Sequence, residues 1–313
     1  MKTNWSVKDI PEQTGRHVLI TGATSGLGFE SALALAGAGA KVTFTGRNVE
    51  KAQQVLVTIR QQYPQADIEF MPLNLSSLTD IAQFAAEFKQ RHATLDVLIN
   101  NAGVMTPPVR YETEDGFELQ FGSNYLGHFA LTAHLLPLLK SGHQPRVVSL
   151  SSSAHKLAAD IHFDDLQWQK KYRAMPAYAQ SKLAMLMFAF ELQRQSDLNG
   201  WGIMSNAAHP GFARTGLQAT GPKMGLNGKV SLTERLITFV EPFVSQSAAE
   251  GALPTLYAAT SIAAQPSGYY GPQRFYELKG PVGNASVARR AKDEHTASRL
   301  WQVSTQLTQV NWS

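Results

Sequence analysis

A chain of 313 residues with 43% hydrophobic and 17% charged side chains has enough apolar material for a folded core and too little charge for a disordered protein. The chain has 28 Lys and Arg residues and 24 Asp and Glu residues, a small basic excess, and it contains no run of five or six basic residues. This composition argues against a nucleic-acid partner. The absence of cysteine excludes disulfides and thiolate chemistry, and the longest apolar run, Leu183–Phe190, has eight residues where a membrane span needs about 18.

The amino-terminal segment is polar and contains Asp9 and Glu12, so we expect no secretory signal and a reducing, cytoplasmic location. Beyond it, short apolar runs alternate with longer segments of helical spacing. The predicted strands are His17–Thr21, Lys41–Gly46, Asp67–Leu73, Asp96–Asn100, Arg146–Leu150 and Gly202–Ala207. The predicted helices are Leu27–Ala38, Val49–Gln62, Leu78–Arg91, Gly116–Leu139 and Ala174–Leu198. This alternation predicts an α/β fold of Rossmann type, a doubly wound parallel sheet with helices on both faces.

The pattern changes after residue 210. Residues 211–247 are rich in glycine and proline and carry scattered large apolar side chains, so we predict a substrate lid there. Residues 248–262 predict another helix, Gly268–Tyr270 a short final strand, about the seventh of the sheet, and Ser286–Gln309 a mostly helical tail. Because no linker intervenes, residues 1–313 are predicted to form a single domain, with 263–313 as a C-terminal extension.

The first predicted strand runs directly into the loop Thr21–Gly28, which reads TGATSGLG, and a helix follows. Small residues at such a turn let the backbone approach a ligand, and the N–H groups at the helix start favour a pyrophosphate. The spacing G-x-x-x-G-x-G differs from the general dinucleotide motif. The position between first strand and first helix favours a dinucleotide site over a mere tight turn.

The end of the second predicted strand distinguishes the two nicotinamide dinucleotides. A free 2′-hydroxyl calls for Asp or Glu there, whereas a 2′-phosphate calls for a cation. The strand ends in Gly46 and Arg47, with no carboxylate before Glu50, and a guanidinium suits phosphate. We therefore predict NADP(H) in preference to NAD(H). The alternative is that Arg47 only faces solvent.

Of the nine tyrosines, only Tyr178 has a lysine four residues later, Lys182, on the same face of a predicted helix. A free phenol titrates near pH 10, too high for proton transfer at neutral pH. An ammonium about 4 Å away, at an effective dielectric constant near 20, favours the phenolate by roughly 4 kcal/mol, or about three pKa units. Because a lysine four residues after a tyrosine is common on surface helices, this pair indicates a catalytic role only together with the other motifs of the chain.

Serines follow the fifth predicted strand, in the segment Ser149–Ser153. A hydroxyl at the carboxyl end of a parallel strand lies where doubly wound sheets bind ligands, and it can hydrogen-bond a substrate oxygen. His155 and Asp160 are close in sequence and suggest a serine hydrolase as the competing interpretation. No G-x-S-x-G motif frames these serines, which argues against acyl transfer.

Two asparagine positions complete the set. Asn100–Gly103, which reads NNAG, follows the fourth predicted strand, and Asn124 lies early in the next long helix. An asparagine buried inside a helix needs hydrogen-bond partners. The alternative is a solvent-facing amide.

In this order, the motifs resemble those of the classical short-chain dehydrogenase/reductases. The matching segments are TGATSGLG (21–28), NNAG (100–103), Asn124, SLSSSAH (149–155), the Tyr178–Lys182 pair, and HPG with Thr215 (209–215). The resemblance runs from about residue 15 to residue 262. Within the family the chain is most similar to the branch of retinol dehydrogenases, protochlorophyllide reductase and the WW-domain oxidoreductase.

The resemblance implies four catalytic residues. Tyr178 would be the acid/base, Lys182 would lower its pKa and hold the nicotinamide ribose, Ser152 would orient the substrate, and Asn124 would anchor a water beside Lys182. The residues implied in cofactor binding are Gly22, Thr24, Ser25, Gly26, Leu27, Gly28, Arg47, Asn74, Leu75, Asn101, Ala102, Gly103, Tyr178, Lys182, Pro210, Gly211 and Thr215. No metal ion is expected.

Two of these assignments carry an open point. The run of three serines leaves Ser151 and Ser153 as alternatives to Ser152. Many family members have Asp where this chain has Asn74, and an amide oxygen can accept the same hydrogen bond from adenine. We therefore expect a weaker adenine contact rather than lost binding.

The resemblance implies an NADP(H)-dependent oxidoreductase that transfers hydride between the nicotinamide and a carbonyl or alcohol carbon. The apolar residues of the lid predict an apolar ketone, aldehyde or alcohol as substrate, unless they only pack the lid on the core. A second hypothesis is a catalytically idle NADP(H)-binding regulatory or scaffold protein. The presence of all four implied catalytic residue types, Ser, Tyr, Lys and Asn, argues against it. A sugar-nucleotide epimerase is disfavoured because that group has T-G-x-x-G-x-x-G.

The predicted helix Ala174–Leu198 is apolar on more than one face. One face is expected to pack on the sheet, and the second suggests burial in a homodimer or homotetramer. The alternative is that the C-terminal helix covers this second face within the monomer.

Overall fold

The computed structural model describes residues 4–213 and 245–313. Most of the predicted lid lies outside these ranges, and so does Thr215. Within them, no helix is both long enough and apolar enough to cross a membrane.

Eight strands form one sheet in the order β3-β2-β1-β4-β5-β6-β7-β8. All neighbouring strands are parallel except the last pair, β7 and β8. The strands are β1 (His17–Ile20), β2 (Lys41–Gly46), β3 (Ile68–Pro72), β4 (Val97–Asn100), β5 (Arg146–Leu150), β6 (Met204–Ala208), β7 (Tyr269–Arg274) and β8 (Lys279–Asn284). The predicted Rossmann-type α/β fold is therefore confirmed, with one strand more than expected.

Helices cover both faces of the sheet. They are α1 (Gly26–Gly37), α2 (Val49–Gln62), α3 (Leu78–Arg91), α4 (Gly127–Lys140), α5 (Ala174–Asn199), α6 (Ala248–Thr260) and α7 (Glu294–Thr308). Side chains alternate along β1: Val18 and Ile20 face the core under α1, α2 and α6, and Leu19 faces the core under the other four helices. The order reverses at β1 and β4, so their carboxyl ends form the crevice where such sheets bind ligands.

The predicted helix Gly116–Leu139 is interrupted in the structure. A short helical turn, Leu119–Phe121, leads into a π-helical turn, Gly122–Leu126, before α4 begins. The Glu118 carboxylate accepts the backbone N–H groups at the start of this segment, which delays the helix by three residues. Inserted π turns of this kind occur frequently at functional sites, and this one contains Asn124.

The C-terminal extension belongs to the same sheet. The predicted strand Gly268–Tyr270 continues to Arg274, and a tight turn returns the chain as the antiparallel edge strand β8. The sequence of β8, KGPVGN, has two glycines, a proline and only one β-branched residue, Val282, so it does not predict a strand, and its proline suits an edge position.

The second apolar face of α5 is covered within the monomer by the C-terminal segment. The indole rings of Trp301 and Trp312 pack around Phe188, with ring centroids 6.0 and 6.2 Å away, and Phe129 of α4 completes the cluster. Since this burial accounts for the second face of α5, the alternative stated above is the one observed. A homodimer or homotetramer stays a prediction.

Candidate active site

Tyr178 and Lys182 lie one turn apart on α5, both nearly fully buried. The Lys182 ammonium donates to the carbonyl oxygen of Leu150 at 3.0 Å, at the end of β5, and lies 5.8 Å from the centre of the Tyr178 ring. This contact fixes the lysine between α5 and the sheet.

The electrostatics differ from the sequence-based expectation. Burial raises the pKa of Tyr178 to about 12, and the nearby Ser152 side chain offsets only part of that rise. Burial also lowers the pKa of Lys182 to about 8. We expected the lysine charge to lower the pKa of Tyr178, but burial is the largest influence on this group and raises its pKa. At neutral pH the phenol is protonated and most of the lysine is charged.

The three consecutive serines have different surroundings. Ser152 lies close enough to Tyr178 to lower the pKa of the phenol, and its hydroxyl oxygen accepts the backbone N–H of Ala154 at 3.1 Å. Ser151 is buried and donates its hydroxyl to the backbone oxygen of Lys182 at 2.7 Å, which anchors β5 to α5. Ser153 begins the 3-10 turn that follows. The serine in contact with the tyrosine is thus the one that the family resemblance favours.

Asn124 is completely buried, contrary to the alternative of a solvent-facing amide. Its amide nitrogen donates to the Val104 carbonyl and to the Ser181 hydroxyl, both at 3.0 Å, and its oxygen accepts the Val104 N–H at 2.7 Å. The amide therefore joins the π-helical turn to α5 and to the segment after β4. A Cβ atom placed at Gly103 would lie 3.2 Å from the Asn124 oxygen and 3.7 Å from the Lys182 nitrogen, so the glycine leaves space beside both.

His128 is a residue that the sequence analysis missed. It is completely buried, and burial lowers its pKa to about 4, so the ring is neutral. Its Nδ1 lies 2.8 Å from the backbone oxygen of Asn124, and its Nε2 lies 2.9 Å from the Thr21 hydroxyl. Because a carbonyl only accepts, Nδ1 carries the proton and Nε2 accepts from Thr21. A histidine four residues after Asn124 was the available signal.

The phosphate loop and the NNAG segment fit against each other closely. The Thr21 hydroxyl accepts the backbone N–H groups of Asn101 and Ala102 at 2.9 and 3.0 Å. A Cβ atom at Gly22, where φ is +66°, would lie 2.7 Å from the Cβ of Ala102, and one at Gly28 would lie 2.6 Å from the amide nitrogen of Asn101. Glycine is therefore required at both positions, because side chains would separate the two loops.

The start of α1 fits a pyrophosphate. Ser25, the residue before the helix, makes no side-chain hydrogen bond to the first-turn N–H groups, and Gly26 follows with φ +58°. Leu27 is half-buried, and Thr24 packs against Gly46 at the end of β2. First-turn N–H groups and the positive end of the helix are the donors that bind phosphate in doubly wound folds. The residues present therefore fit the dinucleotide.

Two implied cofactor residues lie at the ends of β2 and β3. Arg47 is exposed directly after β2. The Asn74 amide donates to the Glu114 carboxylate at 3.0 Å, and its oxygen accepts the N–H of Ser76 at 3.1 Å. Leu75 follows and is half-buried. These contacts hold the Asn74 side chain in place on the adenine side predicted for it.

The HPG segment follows β6 at the same edge of the sheet. Gly211 has φ +63°, and a Cβ atom there would lie 2.3 Å from the Leu278 oxygen. The Pro210 carbonyl accepts the Gln246 side chain at 2.7 Å. Thr215, the last implied cofactor residue, lies outside the described residues.

Comparison with known proteins agrees with this arrangement. A sequence model of the family "short chain dehydrogenase" matches residues 16–224. Retinol dehydrogenase 13 of Homo sapiens is 40% identical over 294 residues, covering 94% of this chain and 84% of that protein. Polyprenol dehydrogenase of Mus musculus is 38% identical over 310 residues, covering 96% and 85%. The crystal structure of an uncharacterized protein from Mycobacterium paratuberculosis is 36% identical, with a TM-score of 0.80 over 99% of this chain and 100% of that one. The chain therefore belongs to the short-chain dehydrogenases, a family of oxidoreductases that use a nicotinamide cofactor.

Proposed function

We propose that this protein is an NADP(H)-dependent oxidoreductase that interconverts an apolar alcohol and its aldehyde or ketone. The observation that carries the proposal is that Ser152, close enough to Tyr178 to lower the pKa of the phenol, and the buried Lys182, one helical turn from Tyr178, meet at the carboxyl edge of the sheet. Two hydroxyls side by side can both hydrogen-bond one substrate oxygen.

The protonation states suit reduction of a carbonyl at neutral pH. With a pKa of about 12, Tyr178 holds a proton that it can donate to the substrate oxygen as negative charge develops there. Ser152 donates to the same oxygen and polarises the carbonyl. Lys182, with a pKa of about 8, retains its charge and can stabilise the tyrosinate left behind. The oxidation of an alcohol uses the same groups in reverse and needs the deprotonated tyrosine.

The cofactor proposal depends on the loop Thr21–Gly28 and on Arg47. The first-turn N–H groups of α1 would hold the pyrophosphate, and the exposed guanidinium at the end of β2 would pair with a 2′-phosphate. The nicotinamide, when bound, supplies or accepts the hydride. The protein's contribution is to orient the substrate and to hold the proton at the Tyr178 oxygen.

The substrate class is proposed from the relatives. Two of them are named as dehydrogenases of retinol and of polyprenol, which are apolar isoprenoid alcohols. The apolar residues of the predicted lid agree with a substrate of that kind. We therefore propose an isoprenoid or similarly apolar alcohol, or the corresponding carbonyl compound.

A single activity panel tests the proposal. Purified protein is assayed with NADPH and with NADH against isoprenoid aldehydes, aromatic ketones and charged sugars, following cofactor absorbance. We expect turnover of the apolar carbonyl compounds with NADPH. Tight NADPH binding without turnover of any compound would favour the idle regulatory or scaffold protein instead, and turnover only of charged sugars would contradict the substrate class.

A further inference from the structure

The turn between β7 and β8 carries the most exposed aromatic side chains of the described ranges. Tyr276 is 99% exposed and Phe275 is 59% exposed. Leu157, which is 69% exposed, lies in the 3-10 turn that follows Ser152. We call these three residues the apolar tip. Large apolar side chains held in water are unfavourable, and clusters of them mark interaction surfaces.

The tip is fixed to the body of the protein. The Glu277 carboxylate accepts from the Lys156 ammonium at 2.9 Å and from the Ser286 N–H at 2.7 Å. Lys156 precedes Leu157, so this contact joins both parts of the tip. Residues 275–277 all have positive φ, between 51° and 65°, a conformation that non-glycine residues rarely adopt. The turn therefore holds the two aromatic rings outward instead of letting them fold onto the surface.

The chain segment that contains the turn is basic. Residues 268–292 contain five Lys and Arg and one Glu, so this segment carries a formal charge of +4, equal to that of the whole chain. The one acidic residue, Glu277, is paired with Lys156. Lys279 begins β8 directly after the turn, with its ammonium 4.7 Å from the centre of the Phe275 ring. The turn therefore presents exposed aromatic rings next to a positively charged side chain.

The tip also adjoins the candidate active site. The backbone oxygen of Leu278 accepts the N–H of Phe212 at 2.8 Å, so the turn contacts the segment that follows β6. Leu157 lies five residues after Ser152 in the chain. A surface engaged by the tip would thus face the side of the protein where the substrate binds.

We propose that the apolar tip docks the protein on an anionic lipid bilayer, with Phe275, Tyr276 and Leu157 in the headgroup region. Aromatic side chains favour this interface, and nearby Lys and Arg are attracted to anionic lipids. The choice of a bilayer rests on the proposed function, because an isoprenoid alcohol resides in lipid and is scarce in water. Docking brings the active site to the substrate.

The test measures binding to vesicles rather than activity. The full chain is sedimented with vesicles of phosphatidylcholine containing about 30% phosphatidylglycerol, and with phosphatidylcholine alone. We expect binding to the anionic vesicles, weakened by added salt, and a loss of about tenfold or more in the variant Phe275→Ser/Tyr276→Ser. Ile262→Ser is the matched control. Ile262 is 90% exposed, but it precedes the first residue of β7, whereas Phe275 and Tyr276 follow the last one. This control should bind like the wild type.

Equal binding by the double variant and the wild type would overturn the proposal, and so would an absence of vesicle binding. Light scattering that shows a dimer lost in the double variant, without vesicle binding, would assign the tip to a second copy of the chain and also overturn the proposal.

Activity measurements separate this proposal from the proposed function. The double variant should keep turnover of a short, water-soluble carbonyl compound and lose turnover of an isoprenoid presented in vesicles. Protein that binds vesicles through the tip but turns over nothing would refute the function alone.

Discussion

Replacing His128 with phenylalanine removes two buried hydrogen bonds while nearly preserving the ring volume. The Asn124 carbonyl loses the Nδ1 proton, and the Thr21 hydroxyl loses its acceptor. An unsatisfied buried polar group costs about 1–3 kcal/mol. The Thr21 hydroxyl has a longer alternative, the Ile99 oxygen at 3.4 Å, so its loss should fall at the low end. We expect a total of about 2–4 kcal/mol, which corresponds to a decrease in Tm of roughly 3–6 °C for a chain of 313 residues.

The effect on function follows from the groups that His128 connects. Thr21 accepts the backbone N–H groups of Asn101 and Ala102, and Asn124 lies beside Lys182, so the variant should raise KM for NADPH and lower kcat. The assay combines urea unfolding with steady-state kinetics. His128→Asn, which keeps a donor near the Nδ1 position, should lie between the variant and the wild type. A phenylalanine variant with wild-type stability and an unchanged KM would refute the reasoning.

Three further predictions follow from the site and the core. Arg47→Ser should reduce the preference for NADPH over NADH by about 10- to 100-fold, since a charge-assisted hydrogen bond is lost, as KM measured with both cofactors will show. Ser152→Ala should lower kcat by about 10²- to 10³-fold whereas Ser153→Ala should change it by less than about tenfold, and the reverse order would contradict the assignment. Burial lowers the pKa of His17 to about 4 from 6.5, so its contribution to stability is present above pH 6.5 and is lost as the pH falls toward 4. His17→Asn should reduce that loss by about 3 kcal/mol in urea titrations across this range, and an unchanged pH dependence would contradict it.

The sequence predicted the architecture well because the strands from β1 to β6 are apolar runs between helices of clear period. The loop Thr21–Gly28 and the Tyr178–Lys182 pair were found because each depends on residues close together in the chain. The strand β8 was missed, since glycine and proline at an edge position give no strand signal. The π-helical turn at Gly122–Leu126 was missed as well, because it differs from an α-helix only in its hydrogen bonds.

Contacts between distant parts of the chain account for the rest. The partners of His128 include Thr21, 107 residues away, so no local pattern reveals its role. The direction of the Tyr178 pKa was also mispredicted. Sequence spacing gives the distance to Lys182 but not the degree of burial, and burial determines the sign of the shift here.

The most direct test of the account is the turnover of Tyr178→Phe with NADPH and an apolar carbonyl substrate, measured beside NADPH binding by fluorescence. The variant lacks only the hydroxyl that we assign to proton transfer. We predict that kcat falls by about 10²- to 10⁴-fold while NADPH affinity changes little. A variant that binds NADPH and retains wild-type turnover would contradict the assignment of Tyr178 as the acid/base.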